Sequence, residues 1–242
     1  MARKDRLLKP GVSHKWIFGG LVPLLVLVSS WVLAGETTTD SALWTGGLFL
    51  FENEKWLDYS VEYQVRLDDH MSSFSSHFLE LMGYRKTTEN LLLNGGYRFT
   101  MRPDHVDHRL YLGGFWELTR NTRDSGGDPN RFRATLQFGY QHDFNAKFDN
   151  QLMGSNSIRW ILVASKPVTE KMKPFLVGGV LTTWNDAYSF GIDKIRLGGG
   201  VAFQISQQSR LRFQYILEKA RFMTPEKRTN IIWLRYEMNL GK

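Results

Sequence analysis

The chain has 242 residues, of which 42% are hydrophobic and 23% charged, with a net charge of +7 and no cysteine. The absence of cysteine excludes disulfides, zinc–thiolate centres and thiol nucleophiles, so stability must come from burial or from a fully paired sheet. Five of the basic residues (Arg3, Lys4, Arg6, Lys9 and Lys15) and one acid (Asp5) lie in the first 34 positions. The remainder therefore carries only about +3, which gives no reason to expect a nucleic-acid partner.

Residues 1–34 have the layout of a secretory signal: a basic start, an apolar run from Trp16 to Leu33, and Val32 and Ala34 as the small residues before a cut after Ala34. The expected mature part is a single domain, residues 35–242, long enough for a barrel or a sizeable core. After Ala34 no stretch approaches 18 uninterrupted apolar residues. If this part lies in a membrane, it crosses by strands and not by helices.

A period of two dominates the mature part. Leu57, Tyr59, Val61, Tyr63, Val65 and Leu67 alternate with Asp58, Ser60, Glu62, Gln64, Arg66 and Asp68. Leu91, Leu93, Tyr97, Phe99 and Met101 alternate with Asn94, Arg98, Thr100 and Arg102, and Leu110, Leu112, Trp116 and Leu118 with Arg109 and Glu117. Phe132, Leu136, Phe138 and Tyr140 face away from Arg133, Gln137, Gln141 and Asp143. Later, Ile195, Leu197, Val201 and Phe203 oppose Arg196 and Gln204, and Leu211, Phe213, Tyr215 and Leu217 oppose Arg210, Arg212, Gln214 and Glu218. Ser206–Ser209 reads as the hairpin between these two segments. Near the end, Tyr236, Met238 and Leu240 oppose Arg235, Glu237 and Asn239. Side chains two apart share one face of a strand.

The candidate strands are 43–51, 56–68, 76–84, 91–102, 108–119, 131–143, 152–165, 174–184, 195–205, 210–220 and 230–240. Several exceed the five or six residues usual in soluble domains and meet the roughly nine to eleven of a tilted membrane strand. A soluble sandwich or lipocalin-like barrel would alternate too, with its apolar face inward. Bulky Arg and Glu on one face and aromatic residues on the other favour an all-β, antiparallel transmembrane barrel. Bacterial single-chain barrels have even strand numbers. The expectation is therefore ten strands, with twelve as the alternative. The first and third candidates look weakest, the first for its shortness and the third for its poor period. Paired glycines such as Gly46-Gly47, Gly95-Gly96 and Gly113-Gly114, and the triplet Gly198–Gly200, suit a crowded, narrow wall.

These features resemble an uncharacterised family of bacterial outer-membrane barrel proteins, catalogued only as a domain of unknown function. The matching residues are Asp40 and Trp44, Glu62-x-x-x-Arg66, Gly96-Tyr97-Arg98, His108-Arg109-Leu110, Arg131-x-Arg133, Lys194–Gly200, and the Ser209–Glu218 strand. The resemblance implies a barrel in the outer membrane of a Gram-negative bacterium and no established activity. The surroundings expected for such a barrel are outer-membrane lipid and lipopolysaccharide, with the barrel-assembly machinery acting during insertion.

Placing the polar faces inward puts Glu62, Arg66, Arg98, Arg102, Arg109, Glu117, Arg133, Arg159, Arg196, Arg210, Arg212, Glu218, Arg235 and Glu237 in the lumen. Arg facing lipid at mid-depth costs roughly 2–4 kcal/mol, so the interior is its natural place. The first reading of this set is a structural, ion-paired filling or a barrel that acts through its loops. A second is a narrow pore preferring small anionic solutes, because Arg outnumbers Glu. A third is a lipid hydrolase drawing on His70, Ser72, Ser73, Ser75, Ser76 and His77. His105, Asp107 and His108 offer a weak metal set, and Asp124–Asn130 a superficial calcium loop. Trp184, Asn185, Asp186 and Tyr188 are candidates for contact with external partners. No cofactor is expected, since no phosphate-binding glycine loop precedes a helix.

Overall fold

A computed structural model describes residues 37–53, 57–119, 132–146, 152–185, 188–220 and 226–241. The expected signal peptide, residues 1–34, lies outside these, as do Asp124–Asn130 and Asp186. Eleven strands follow in chain order: β1 (Thr37–Phe51), β2 (Asp58–Asp68), β3 (Ser73–Lys86), β4 (Leu91–Met101), β5 (Val106–Glu117), β6 (Arg133–Ala146), β7 (Leu152–Ser165), β8 (Met172–Asn185), β9 (Tyr188–Gln204), β10 (Ser209–Ala220) and β11 (Glu226–Asn239). Each pairs antiparallel with the next, and a parallel β1–β11 seam closes the barrel.

The strand number expected from parity is thus corrected from ten to eleven. An even count follows only when the closing pair is antiparallel. Here Thr37 pairs with Glu226 and Leu50 with Asn239, so the first and last strands run the same way. All eleven candidate stretches are wall strands, including the first and third. β1 is 15 residues long, not a short piece. The period of β3 is obscured by a register shift between Arg66 and Leu67 of its partner β2, opposite Ser75, and by inward-facing Phe78 and Met82 among polar neighbours. β9 begins at Tyr188 rather than 195, because register shifts against β8 break its alternation near Asp193.

Burial follows strand phase. In β2, Ser60, Glu62 and Gln64 are buried while Tyr59 and Tyr63 are exposed. In β5 Tyr111 is buried while Leu110, Leu112 and Trp116 are exposed, and in β10 Gln214 and Ile216 are buried while Leu211, Phe213 and Tyr215 are exposed. Apolar side chains therefore cover the outside of the wall and polar ones its inside, the reverse of a soluble barrel. An apolar surface wrapping a whole wall is far larger than water tolerates on a monomer, and lipid is the solvent that suits it.

The outer wall also carries tyrosines whose hydroxyls find polar partners on neighbouring strands. Tyr63 Oη lies 3.3 Å from His77 Nδ1 and Tyr97 Oη 2.5 Å from His108 Nδ1. The Tyr140 hydroxyl donates to Asn156 Oδ1 at 2.6 Å, and that of Tyr215 to Asn230 Oδ1 at 2.6 Å. All four sit near the middle of their strands, and each hydroxyl reaches a partner in the first half of the next strand.

Inward glycines permit close approach of neighbouring strands. A Cβ on Gly200 would collide with the carbonyl oxygen of Phe213 and come within 2.8 Å of the Phe175 ring. At outward Gly178 the nearest atom to such a Cβ is Leu197 Cδ2 at 3.6 Å, an ordinary contact. Gly200→Ala is expected to lower stability by about 1–3 kcal/mol through overpacking, whereas Gly178→Ala is expected to be near neutral. Equilibrium denaturant unfolding of both variants in detergent micelles checks this contrast.

Candidate functional site in the barrel interior

The register rows bring the inward charges together. Leu48, Glu62, Glu80, Arg98, Arg109 and Asp143 stand directly opposite one another on β1 to β6 in a single row, which Glu237 of β11 joins across the seam. Arg98 binds Glu80 at 2.6 Å and Arg109 binds Asp143. Glu80 and Glu62 are like charges on facing positions, and Arg98 and Arg235 flank them, with Arg235 Nη1 lying 3.4 Å from Glu62.

Glu237 is the most buried charge, with 1% of its side chain exposed. Three arginines hold it. Arg210 donates to Oε2, Arg235 donates to Oε1 at 2.6 Å, and Arg212 Nε lies 2.9 Å from Oε1 without good hydrogen-bond alignment. Elsewhere Glu218 receives Arg196 at 2.6 Å and Lys194 at 3.3 Å, and Arg102 pairs with Asp107 at 2.6 Å.

Aromatic rings supply the other half of the lattice. Arg66 lies 4.3 Å from the centroid of Trp44 and 5.0 Å from that of Phe78. Arg98 lies 3.9 Å from Phe78 and 5.3 Å from Tyr111. Arg159 is 5.1 Å from Tyr111 and Arg196 is 5.5 Å from Trp44. Guanidinium and ring therefore alternate as Arg196, Trp44, Arg66, Phe78, Arg98, Tyr111 and Arg159, drawn from β9, β1, β2, β3, β4, β5 and β7. Arg196 reaches Trp44 past two intervening wall strands, β10 and β11, and the other contacts of the stack follow the inner wall from β1 to β7. Each cation–π contact contributes about 0.5–2 kcal/mol, more as it is desolvated.

Register sets Glu62, Arg66, Arg98, Arg109, Arg159, Arg196, Arg210, Arg212, Glu218, Arg235 and Glu237 on the inward side of the wall, with Glu117 and Arg133 inward near the end where β1 finishes and Arg102 at the opposite rim. Residue-type reasoning missed Glu80, Asp107 and Asp143, which narrow the excess of arginine over acid, and the inward aromatics Trp44, Phe78 and Tyr111. Phase was the available signal: Phe78 shares its face with Glu80, and Tyr111 with Arg109.

The serine–histidine cluster does not converge. Ser76 is buried inside the wall while its chain neighbour His77 is outside, against Tyr63 and Phe74. Consecutive strand residues point to opposite faces, so no Ser–His pair forms here. His70 and Ser72 belong to a turn with left-handed Asp69, His70 and Met71, docked on β1 through the His70 N–H to Asp40 Oδ1 (3.0 Å) and the Met71 N–H to the Ser41 carbonyl (3.0 Å); Ser73 follows it, bonded to Asp69. The wall also divides the proposed metal set: Asp107 faces inward to Arg102, and His108 faces outward to Tyr97 and Phe99. No group of three or more His, Asp or Glu side chains among the described residues is arranged to hold a metal ion. Trp184 packs on Tyr140 of the outer wall, and Asn185 and Tyr188 pair in the ladder.

The site and wall together define a membrane-type β-barrel with an ion-paired interior. No family model matches the chain and no curated protein matches it. Among solved structures it is similar to a bacterial polysaccharide outer membrane secretin, with 12% identity and a TM-score of 0.49 over 72% of this chain. The likeness covers 61% of that chain's length. No family model supports the particular family that the residues resemble, and the strand topology shows a closed barrel.

Removing one partner of a buried ion pair costs about 3–5 kcal/mol, because the remaining charge is left uncompensated. Glu237→Ala is expected to destabilise the barrel by that order, since it strands three guanidiniums. Denaturant unfolding in micelles should show it, with Leu112→Ala on the exposed outer face changing stability little.

Proposed function

We propose that the chain is an outer-membrane barrel of a Gram-negative bacterium whose lumen is sealed by its own side chains, and that it serves as a structural or loop-presenting element of that membrane. The expected export signal, cut after Ala34, takes it there, and lipid and lipopolysaccharide surround the wall after the assembly machinery inserts it. The observation that carries the reading is the alternating guanidinium–ring stack on the inner wall. An eleven-stranded can is wide enough to hold a helix. In this reading the long Arg side chains and the rings between them fill that width.

In planar bilayers the purified barrel is expected to show no stable conductance. Combined replacement of Arg66, Arg98 and Tyr111 by Ala removes the middle of the stack and is expected to admit current. Steady anion-selective steps from the unmodified protein would refute the sealed lumen.

Connection lengths suggest an orientation. The connections 69–72, 102–105, 147–151, 186–187 and 221–225 share one end, and 52–57, 87–90, 118–132, 166–171 and 205–208 share the other. Periplasmic turns are short and external loops longer. We place the end bearing 118–132 outside the cell. An epitope inserted between Gly126 and Gly127 should bind antibody on intact cells, whereas one inserted between Lys147 and Phe148 should bind only after the outer membrane is permeabilised.

A further inference from the structure

Arg66, like Arg159, lacks among the described residues the carboxylate partner that the stacked Arg98 and Arg196 have. Arg98 has Glu80 and Arg196 has Glu218. Among the described residues no carboxylate lies within ion-pair distance of Arg66. Its one hydrogen bond runs from Nη2 to Gln64 Oε1 at 3.3 Å, and its Nε–H is buried without a partner. The charges of Arg98 and Arg196 face it, so the neighbourhood is locally positive.

The orphaned groups around it are all capable of donating. Gln64 Nε2 and Ser76 Oγ are buried and unpartnered. Ser76 stands directly opposite Arg66 across β2 and β3, and Gln64 is two residues from Arg66 on the same face. Facing side chains in such a pair have Cβ atoms about 4.5–5.5 Å apart. Gln64 and Ser76 are each 1% exposed, so the protein leaves nearly all of their polar surface dry. Buried donors left without acceptors cost about 1–3 kcal/mol each, and a buried guanidinium costs more. A patch of donors with a surplus positive charge lacks one thing, a negatively charged acceptor.

We propose that this patch is a binding site for a small free oxyanion, of the inorganic phosphate or sulfate class. Arg66 supplies the charge, and Gln64 and Ser76 supply hydrogen bonds. Arg196, whose side chain is 38% exposed and lies on the Trp44 ring, marks the side open to lumen water. The anion is a keystone of the lumen and not a permeant species. In that respect the proposal rests on the sealed-lumen reading, but its test is independent of conductance.

The folded barrel in a zwitterionic detergent is heated in chloride buffer while sodium phosphate or sodium sulfate replaces chloride at constant ionic strength. A saturable rise in melting temperature is expected for the native chain. Arg66→Met keeps an unbranched chain between the two rings and is expected to abolish the saturable rise. Ser76→Ala removes one donor with little change in volume and is expected to weaken apparent affinity by up to about tenfold, the loss of one charge-assisted hydrogen bond. This variant carries the test if Arg66→Met does not fold. No rise, a rise linear in anion concentration, a saturable rise unchanged in the variants, or a response to micelles containing phosphatidic acid but not to inorganic phosphate would each overturn the proposal.

Discussion

A guanidinium taken out of water must be met by a carboxylate or by the face of an aromatic ring. This barrel applies both solutions to the same side chains. Arg98 is held edge-on by Glu80 and face-on by Phe78 and Tyr111. Arg235 reaches Glu237 and Glu62 while stacking at 4.7 Å on Trp233. Arg98 finds its partners on the neighbouring strands β3 and β5, whereas Arg235–Glu62 joins β11 to β2 and forms only when the barrel is closed. The wall exists to bring them together as much as they exist to fill the wall.

The rest of the design depends on that filling. The interior is crowded, so inward Gly200 gives the Phe175 ring its place, and Arg212 stacks at 4.9 Å on that ring. The polar groups are gathered inside, so the exterior can be almost wholly apolar. On the exterior, Tyr63, Tyr97, Tyr140 and Tyr215 turn their hydroxyls to His or Asn on adjacent strands. Of the histidines that invite a catalytic or metal reading, His77 and His108 belong to this outer face, while His70 sits in a turn and His105 contacts Asp104 and Asp107.

The seam has its own consequence. Joined by simple reversals, an odd number of strands must close parallel, and Thr37 and Asn239 then lie at opposite ends. The long connection 118–132 therefore shares its end of the barrel with the end of β11, and the start of β1 lies at the other end with the shorter turns.

Strand phase was legible from residues alone. Arg210, Arg212, Gln214 and Glu218 declare one face and Leu211, Phe213 and Tyr215 the other, because alternation is local and survives any tertiary arrangement. The phase of Phe78 and Tyr111 was equally present but masked by their apolar character. The poor period of β3 could not be understood before its bulge against β2 was known. Strand parity, the pairing of Arg98 with Glu80 rather than another acid, and the isolation of Arg66 depend on inter-strand register and on which walls face across the bore. Those are long-range relations with no signature in a window of neighbouring residues. The sequence by itself thus determined that long two-faced strands would sort charge from apolar surface. The tertiary structure decided that eleven of them close through one parallel pair, that their arginines interleave with rings, and that Arg66 lies between two rings without a carboxylate.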